Sequence, residues 1–149
     1  MKKQLLIILP VVVCLLANCN GTKDLNPNID DKSEPSVHTL NEDFLMVYKE
    51  TVAIESEDLT ITFSEVTEDS RCPLNVVCVW AGRVTVQLDV VYLGNEYSFL
   101  LTKGDQQQPD TIVFDTLIIK LVSVTPYPKE PGAIEKTSYV ITLNVEEIE

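Results

Sequence analysis

The residues of this chain best suited to chemistry lie between Asp69 and Gly82, where five residues separate Cys72 from Cys78. Two thiols at this spacing can form a structural disulfide, a redox pair or part of a metal site. A redox pair favours cysteines that are closer together at the start of a helix, whereas strand-like sequence follows Cys78. A metal site needs about four ligands, and no histidine lies nearby. The segment therefore predicts a disulfide and no metal, with the redox pair and the metal site as the alternatives.

Three further residues of this segment are candidates for binding a partner or for anchoring the loop. Trp80, the only tryptophan, lies two residues after Cys78. A ring packed over a disulfide is a common core arrangement in β-sandwiches, so we expect Trp80 in the core; the alternative is an exposed ring that binds a sugar or a protein. Arg71 and Arg83, the only arginines, flank the loop. Each can hold a carboxylate through two hydrogen bonds, and Asp69 is the nearest in sequence.

Groupings of catalytic residues are scarce. His38 is the only histidine, so any Ser-His-Asp or Cys-His arrangement depends on a residue that we expect to be exposed and without a role. Acidic residues are plentiful, and two of them can form the carboxylate pair of a glycoside hydrolase. The candidates for such a pair are Glu65, Glu68, Asp69 and Asp89. We assign no catalytic residue and no cofactor, and the sequence predicts a protein that is not an enzyme.

Length and charge exclude several other classes of protein. The chain has 149 residues, of which 45% are hydrophobic, and this suits one globular domain with accessory sequence. Eleven basic residues against 23 acidic ones give a formal charge of −12. Nucleic-acid binding needs a surface that neutralises phosphates, so we exclude DNA and RNA as partners.

The first 18 residues predict a secretory signal peptide. Lys2 and Lys3 precede a 13-residue apolar run from Leu5 to Ala17. This run is short for a spanning helix, which needs roughly 20 residues. The alternative is an uncleaved signal anchor.

The end of this run, Leu16-Ala17-Asn18-Cys19, resembles the lipobox of bacterial lipoproteins. The resemblance implies that Cys19 becomes the amino terminus and carries fatty acids such as palmitate, and two or three acyl chains make a stable anchor. We therefore expect a lipid-anchored protein of the bacterial cell envelope, in the outer membrane, on either its periplasmic face or its surface face. With Cys14 removed and Cys19 acylated, Cys72 and Cys78 remain to pair in an oxidising compartment.

Residues 19–41 predict a flexible acidic stem, since they hold few apolar residues to bury. Cleavage removes Lys2 and Lys3, which leaves 9 basic and 23 acidic residues and a charge of −14. Such a charge repels anionic headgroups, so we expect the lipid alone to contact the membrane.

Residues 42–149 predict a β domain, because apolar and polar residues alternate with period two. The candidate strands are 44–54, 59–66, 83–92, 112–125 and 138–145, or about seven strands once the longer runs are split. One-sided alternation with frequent turn residues predicts an all-β, antiparallel two-sheet sandwich of immunoglobulin-like shape. A small β-barrel is the alternative.

One hairpin is predicted in detail. Gly94 and Asn95 suit a two-residue turn with glycine first. This turn pairs Tyr92 with Tyr97 and places apolar side chains opposite each other along both strands.

Taken whole, residues 69–82 resemble a segment of small bacterial lipoproteins and secreted β domains of unassigned function. These proteins carry aspartate-serine-arginine-cysteine-proline followed by cysteine, tryptophan and glycine. Residues 125–128 and 139–141 are similar to the same proteins, and the resemblance covers roughly residues 44–149. It implies an exported sandwich and brings no catalytic residues.

We expect a lipid-anchored, non-enzymatic binding or accessory module whose partner is a protein or a glycan. The first alternative is the carboxylate-pair glycoside hydrolase. The second is a protease inhibitor or adhesin that presents the loops at residues 103–110 and 126–136.

Overall fold

The computed structural model describes residues 35–148. The segments in which apolar and polar residues alternate form strands in it, and these residues contain nine strands. The strands are β1 (Ser36–His38), β2 (Asp43–Val47), β3 (Thr51–Ile54), β4 (Leu59–Asp69), β5 (Val84–Tyr92), β6 (Asn95–Lys103), β7 (Thr111–Phe114), β8 (Leu117–Thr125) and β9 (Val140–Glu147), with one 3-10 turn at Lys136–Ser138. The predicted signal peptide, Cys19 and most of the predicted stem lie outside the described residues, so they stay predictions.

The strands form two sheets, with the strand orders β1-β3-β4-β5-β6 and β2-β9-β8-β7. Every neighbouring pair is antiparallel except β1 with β3. Apolar side chains of both sheets, such as Phe63 on β4 and Leu143 on β9, form one buried cluster. The predicted two-sheet sandwich is confirmed and the barrel alternative is wrong. Its immunoglobulin-like shape stays a prediction.

The alternation places the core side chains as predicted. Every second residue of β5 and β9 is buried, namely Val84, Val86, Leu88 and Val90 on β5 and Ile141, Leu143 and Val145 on β9. The predicted runs 44–54 and 112–125 each divide into two strands, which gives the seven expected, and β1 and the second hairpin strand β6 bring the total to nine.

A bulge near the end of β4 determines how this strand enters the following loop. The register against β5 shifts between Val66 and Glu68, after which Asp69 lies opposite Val84. A bulge bends its strand and re-aims the side chains that follow. Because consecutive residues of a strand point to opposite faces, the carboxylates of Glu68 and Asp69 leave β4 on different sides.

The β5–β6 hairpin has a different turn and register from those predicted. Tyr92 pairs with Asn95 rather than with Tyr97, so the turn residues are Leu93 and Gly94, with φ angles of 49° and 75°. Positive φ at both central residues is typical of a type I′ turn. The two-residue shift keeps the same side chains on the core face, so the alternation cannot detect it.

The folded domain begins before residue 42, so the predicted stem boundary is wrong. β1 pairs with β3, from Ser36 opposite Val52 to His38 opposite Ile54. His38 is half-buried rather than exposed, and its ring stacks on Phe44 with the centroids 4.6 Å apart. A strand of three residues is too short to show alternation, which explains why the sequence did not predict it.

Candidate binding surface at the cysteine loop

The connection between β4 and β5 forms a disulfide-closed loop at residues 72–81, here called the cysteine loop. Cys72 and Cys78 are bonded, with their Cα atoms 5.9 Å apart, which confirms the predicted disulfide. The backbone N–H of Cys72 donates to the carbonyl of Ala81 at 2.7 Å. A covalent bond and a backbone hydrogen bond therefore fix the base of the loop.

The cysteine loop also rests on the segment that follows β8. The backbone N–H of Leu74 donates to the carbonyl of Pro128 at 3.0 Å, and that of Asn75 donates to the carbonyl of Lys129 at 3.2 Å. The loop begins in the five-stranded sheet and contacts the continuation of the four-stranded sheet. Both sheets therefore position it.

Five large apolar side chains of the cysteine loop face solvent. Val77 is fully exposed, and the exposed fractions of Leu74, Val76, Val79 and Trp80 are 67%, 39%, 92% and 78%. The prediction that Trp80 packs in the core is wrong. The disulfide joins two residues of the loop between the end of β4 and the start of β5 rather than bridging the two sheets, so the Trp80 ring beside it lies outside the core. The loop carries no charged side chain.

Arg71, just before the cysteine loop, is held in a buried network. Its Nε and Nη2 atoms donate to the two carboxylate oxygens of Asp69 at 2.8 and 2.6 Å. Nη1 donates to the carbonyl of Val124 at 2.7 Å, and Nη2 also donates to that of Pro126 at 2.9 Å. The side chains of Arg71 and Asp69 are only 7% and 11% exposed. Because Asp69 ends β4 and Val124 belongs to β8, this network joins the two sheets.

Tyr139 completes the buried network from the side of β9. Its hydroxyl donates to Asp69 Oδ2 at 2.8 Å. Burial raises the pKa of Asp69, but the hydrogen bonds from Arg71 and Tyr139 outweigh this effect and hold that pKa below its ordinary value. Burial and the nearby carboxylate raise the pKa of Tyr139 to about 12. Asp69 is therefore held ionised and Tyr139 neutral.

Arg83, just after the cysteine loop, forms a second network at the surface. Its Nε donates to Glu68 Oε2 and its Nη1 to Asp105 Oδ2, each at 3.0 Å. The Arg83 side chain is 41% exposed. Hydrogen bonds from Arg83 and Ser70 lower the pKa of Glu68. The backbone N–H of Gln107 and the Arg83 guanidinium lower that of Asp105.

A cleft of about 330 Å³ lies between Trp80 and this second network, and we call it the Trp80 cleft. Its lining residues are Glu68, Ser70, Trp80, Ala81, Gly82, Arg83, Gly104 and Asp105. Gly82 has φ +70°, and a Cβ there would lie 1.8 Å from the carbonyl oxygen of Ser70. A Cβ on Gly104, at φ +97°, would lie 2.8 Å from the carbonyl oxygen of Gly82. Only glycine fits at both positions.

The four carboxylates considered for a glycoside hydrolase are each held by a partner. The pKa of every one lies below its ordinary value. A hydrogen bond from Lys136 lowers the pKa of Glu65, one from Arg83 lowers that of Glu68, and one from Ser64 lowers that of Asp89. Burial raises the pKa of Asp69, but the contacts with Arg71 and Tyr139 lower it by more. The acid of a glycosidase needs a raised pKa. None of these four carboxylates has one.

Neither a metal-ligand cluster nor a membrane-spanning helix is found among the described residues. Between residues 35 and 148, no three or more His, Cys, Asp or Glu side chains converge as metal ligands. In the same part of the chain, no helix has the length and the apolar character needed to cross a membrane.

The sequence named Glu68 as a carboxylate candidate and residues 103–110 as a candidate binding loop, but it did not predict that Glu68 and Asp105 pair with Arg83 or that Gly82 and Gly104 line a cleft. Asp105 lies 22 residues after Arg83 in the sequence, in a segment whose polar composition predicts a solvent-exposed loop. The role of Gly82 and Gly104 in the cleft becomes visible only in the folded structure, where the two residues lie next to each other. Arg71 and Asp69, by contrast, are two residues apart, and the structure pairs them.

Comparisons of this chain with protein-family models, curated proteins and solved structures found no match. The resemblance of residues 69–82 to a lipoprotein segment therefore stays a prediction. The cysteine loop and the cleft beside it are the features of the described residues that indicate a function.

Proposed function

We propose that this protein is a non-enzymatic binding module of the bacterial envelope, tethered by lipid on Cys19, which presents the cysteine loop to a protein or glycan. One observation carries the proposal. The loop exposes Leu74, Val77, Val79 and Trp80, carries no charge, and is fixed at its base.

Exposing these side chains is costly unless something covers them. Fully burying one Val or Leu side chain contributes about 1.5–3 kcal/mol, and contiguous exposed apolar residues mark interaction sites. The disulfide and the contacts with Pro128 and Lys129 hold the loop in one conformation before a partner arrives. Preorganisation of this kind lowers the entropy cost of binding.

The tethering part of the proposal is supported by the sequence and by the disulfide. The apolar run, the Leu16-Ala17-Asn18-Cys19 segment and the stem follow the order of a lipoprotein, and a structural disulfide suits an oxidising compartment. An outer-membrane location, on the periplasmic or the surface face, is consistent with this order.

The alternatives have less support. The lowered pKa values of Glu65, Glu68, Asp69 and Asp89 disfavour the glycoside hydrolase. The inhibitor or adhesin alternative relies on residues 103–110 and 126–136, two described segments in which Tyr127 is the one exposed large apolar residue. The cysteine loop is the better contact surface.

The tether is tested by metabolic labelling with a palmitate analogue in the producing bacterium. We expect the wild-type chain to be labelled and a Cys19→Ala variant to be unlabelled. Label that persists in the variant contradicts the anchor at Cys19.

The binding surface is tested by co-sedimentation with isolated cell envelopes of the producing bacterium. A soluble chain beginning at Asn20 is suitable, because every buried core residue lies within residues 44–145. We expect it to sediment with the envelopes, and a Val77→Ser/Val79→Ser variant to stay in solution. Val113→Ser, at a residue that is 68% exposed on β7, is the matched control and should behave as wild type. Equal sedimentation of all three chains contradicts the proposal.

A further inference from the structure

The two walls of the Trp80 cleft differ in chemistry. One wall is the exposed indole of Trp80, and the other is the ion-pair network of Arg83 with Glu68 and Asp105. Gly82 and Gly104 line the space between the walls, and the close backbone contacts at both positions require glycine. Sites for small polar ligands combine an apolar surface with a few fixed polar groups in this way.

The polar wall has donors and acceptors left for a ligand. A guanidinium has five N–H groups. Arg83 uses Nε and Nη1 for hydrogen bonds, and its Nη2 lies 3.0 Å from Glu68 Oε2, so two N–H groups remain. A carboxylate has about four lone-pair sites, and those of Asp105 accept from Arg83 and from the N–H of Gln107. The wall therefore offers hydrogen-bond donors and acceptors side by side.

A mixed wall of this kind selects hydroxyl groups. A hydroxyl both donates and accepts, whereas an ammonium group only donates and an anion only accepts. Glu68 and Asp105 repel an anionic ligand, and Arg83, which is paired with both carboxylates, opposes the approach of a cation to them. The formal charge of −12 adds to the repulsion of anions.

The aromatic wall suits the apolar face of a sugar ring. The face of an indole carries negative charge density, and the C–H groups on one face of a pyranose are weakly positive. A sugar placed between the walls packs its C–H face on Trp80 and turns its hydroxyls toward Arg83, Glu68 and Asp105.

We infer that the Trp80 cleft binds a neutral carbohydrate, stacked on the Trp80 indole and hydrogen-bonded by the Arg83–Glu68–Asp105 network. The inference rests on the proposed function and names the ligand class of the same surface. The surrounding anchors support it, because the disulfide fixes the loop that carries Trp80 and the ion pairs fix the opposite wall.

The first test uses the fluorescence of Trp80, which is the only tryptophan of the chain. The soluble chain beginning at Asn20 is titrated separately with neutral trisaccharides of glucose, mannose, galactose and N-acetylglucosamine, at concentrations into the millimolar range. We expect at least one to change the emission with a saturable curve. No change with any of the four overturns the inference.

Ionic strength separates a sugar from a charged ligand. Binding of a neutral sugar should be unchanged when the salt concentration rises from about 0.05 to about 0.5 M, because no net charge is neutralised. Tri-lysine and trigalacturonate are the charged probes: trigalacturonate should not bind, and any attraction of tri-lysine to the acidic surface should be lost at the higher salt concentration. Salt-sensitive binding of either one, without sugar binding, assigns the cleft to a charged ligand and overturns the inference.

Variants locate the sugar in the cleft, with affinity measured by calorimetry. We expect Trp80→Ala and Arg83→Met each to weaken binding about tenfold or more, and Trp80→Phe to recover part of the loss because it keeps an aromatic face. Tyr127→Ala is the matched control, since Tyr127 is an exposed aromatic residue outside the cleft, and it should bind as wild type. Equal affinity of the wild-type and Trp80→Ala chains overturns the inference.

Failure here is distinguishable from failure of the proposed function. If the wild-type chain sediments with envelopes and depends on Val77 and Val79 but binds none of the sugars, the binding module stands and its ligand is a protein. If the chain neither sediments with envelopes nor binds a sugar, both proposals are wrong.

Discussion

Two arginines flank the cysteine loop, and the networks around them differ in burial and in what they leave unused. Arg71 is 7% exposed, and its three guanidinium nitrogens all contact protein oxygens of Asp69, Val124 or Pro126. Arg83 is 41% exposed and keeps donors free beside an open cleft. The same residue type therefore joins the sheets on one side of the loop and faces solvent on the other.

The proposed binding role needs a fixed support that is separate from the contact groups, and the two arginines divide these tasks. The alternation of side chains at the end of β4 separates the two networks, because Asp69 pairs with the buried arginine and the neighbouring Glu68 pairs with the exposed one. Substitutions in the buried network should change stability. Those in the exposed network should change binding.

The largest expected effect comes from breaking the buried pair. Arg71→Met leaves the Asp69 carboxylate buried without its countercharge, which should lower the free energy of unfolding by about 3–5 kcal/mol. Arg83→Met is the matched control, and its free energy of unfolding should stay close to that of wild type because exposed ion pairs contribute little. Urea denaturation measures both. Equal losses in the two variants contradict the distinction between the networks.

Acid pH sharpens this result. The pKa of Asp69 lies below its ordinary value, so the ionised pair stabilises the wild-type chain above about pH 4 and this contribution is lost as the pH falls further. In Arg71→Met, the guanidinium no longer lowers the pKa of Asp69 while burial still raises it, so acid protonates Asp69 more readily than in the wild-type chain and removes the unpaired charge. The difference in the free energy of unfolding between the wild-type and Arg71→Met chains should become smaller from pH 7 to pH 3. A constant difference contradicts the pairing of Arg71 with Asp69.

The disulfide should have the next largest effect. Cys72→Ser/Cys78→Ser opens a loop of about seven residues, which should cost roughly 2 kcal/mol in the chain-entropy account. Wild-type chain under reducing conditions should unfold at the same urea concentration as the variant. Unchanged stability after both treatments would show that the backbone contacts of the loop hold it without the bond.

A smaller effect is expected from removing one hydroxyl of the buried network. Tyr139→Phe removes the donor to Asp69, which should cost about 1.5 kcal/mol at neutral pH. Since the pKa of Tyr139 is raised to about 12, wild-type chain should lose stability between about pH 10 and pH 12, and the variant should lose less. The pKa values of Tyr92 and Lys136 are also raised. These two groups therefore lower the free energy of unfolding of both chains equally as the pH rises. If the free energy of unfolding depends on alkaline pH in the same way for both chains, the hydrogen bond from Tyr139 to Asp69 is contradicted.

The smallest effect on stability is expected at the exposed ring. Trp80→Ala should change the free energy of unfolding by less than about 0.5 kcal/mol, because the side chain is 78% exposed. If urea denaturation shows a loss of several kcal/mol, Trp80 is buried in the core, as the sequence predicted.

The sheets could be predicted from the sequence because burial imposes a period. In β5, each of Val84, Val86, Leu88 and Val90 alternates with a polar or exposed residue, and this pattern alone indicates a strand with one face in the core. The hairpin register could not be predicted, since a shift of two residues leaves every side chain on the same face. The short strand β1 has too few residues for any pattern.

The binding surface was predictable only in part. The disulfide follows from cysteine spacing and number, and Asp69 is close enough in sequence to Arg71 to suggest their pairing. The exposure of Trp80 depends on where the disulfide lies relative to the strand ends, which residue types do not reveal. The Arg83–Asp105 contact joins two loops through three-dimensional proximity alone.

The most direct test of the central claim follows the side-chain N–H signals in a nitrogen-15 NMR spectrum of the soluble chain. With two arginines and one tryptophan in the sequence, the Nε–H signals of Arg71 and Arg83 and the indole signal of Trp80 can each be assigned by substitution. On addition of a mixture of the four neutral trisaccharides, the Arg83 and Trp80 signals should shift while the Arg71 signal stays in place. A shift of the Arg71 signal alone, or no shift in any of the three, would contradict the account.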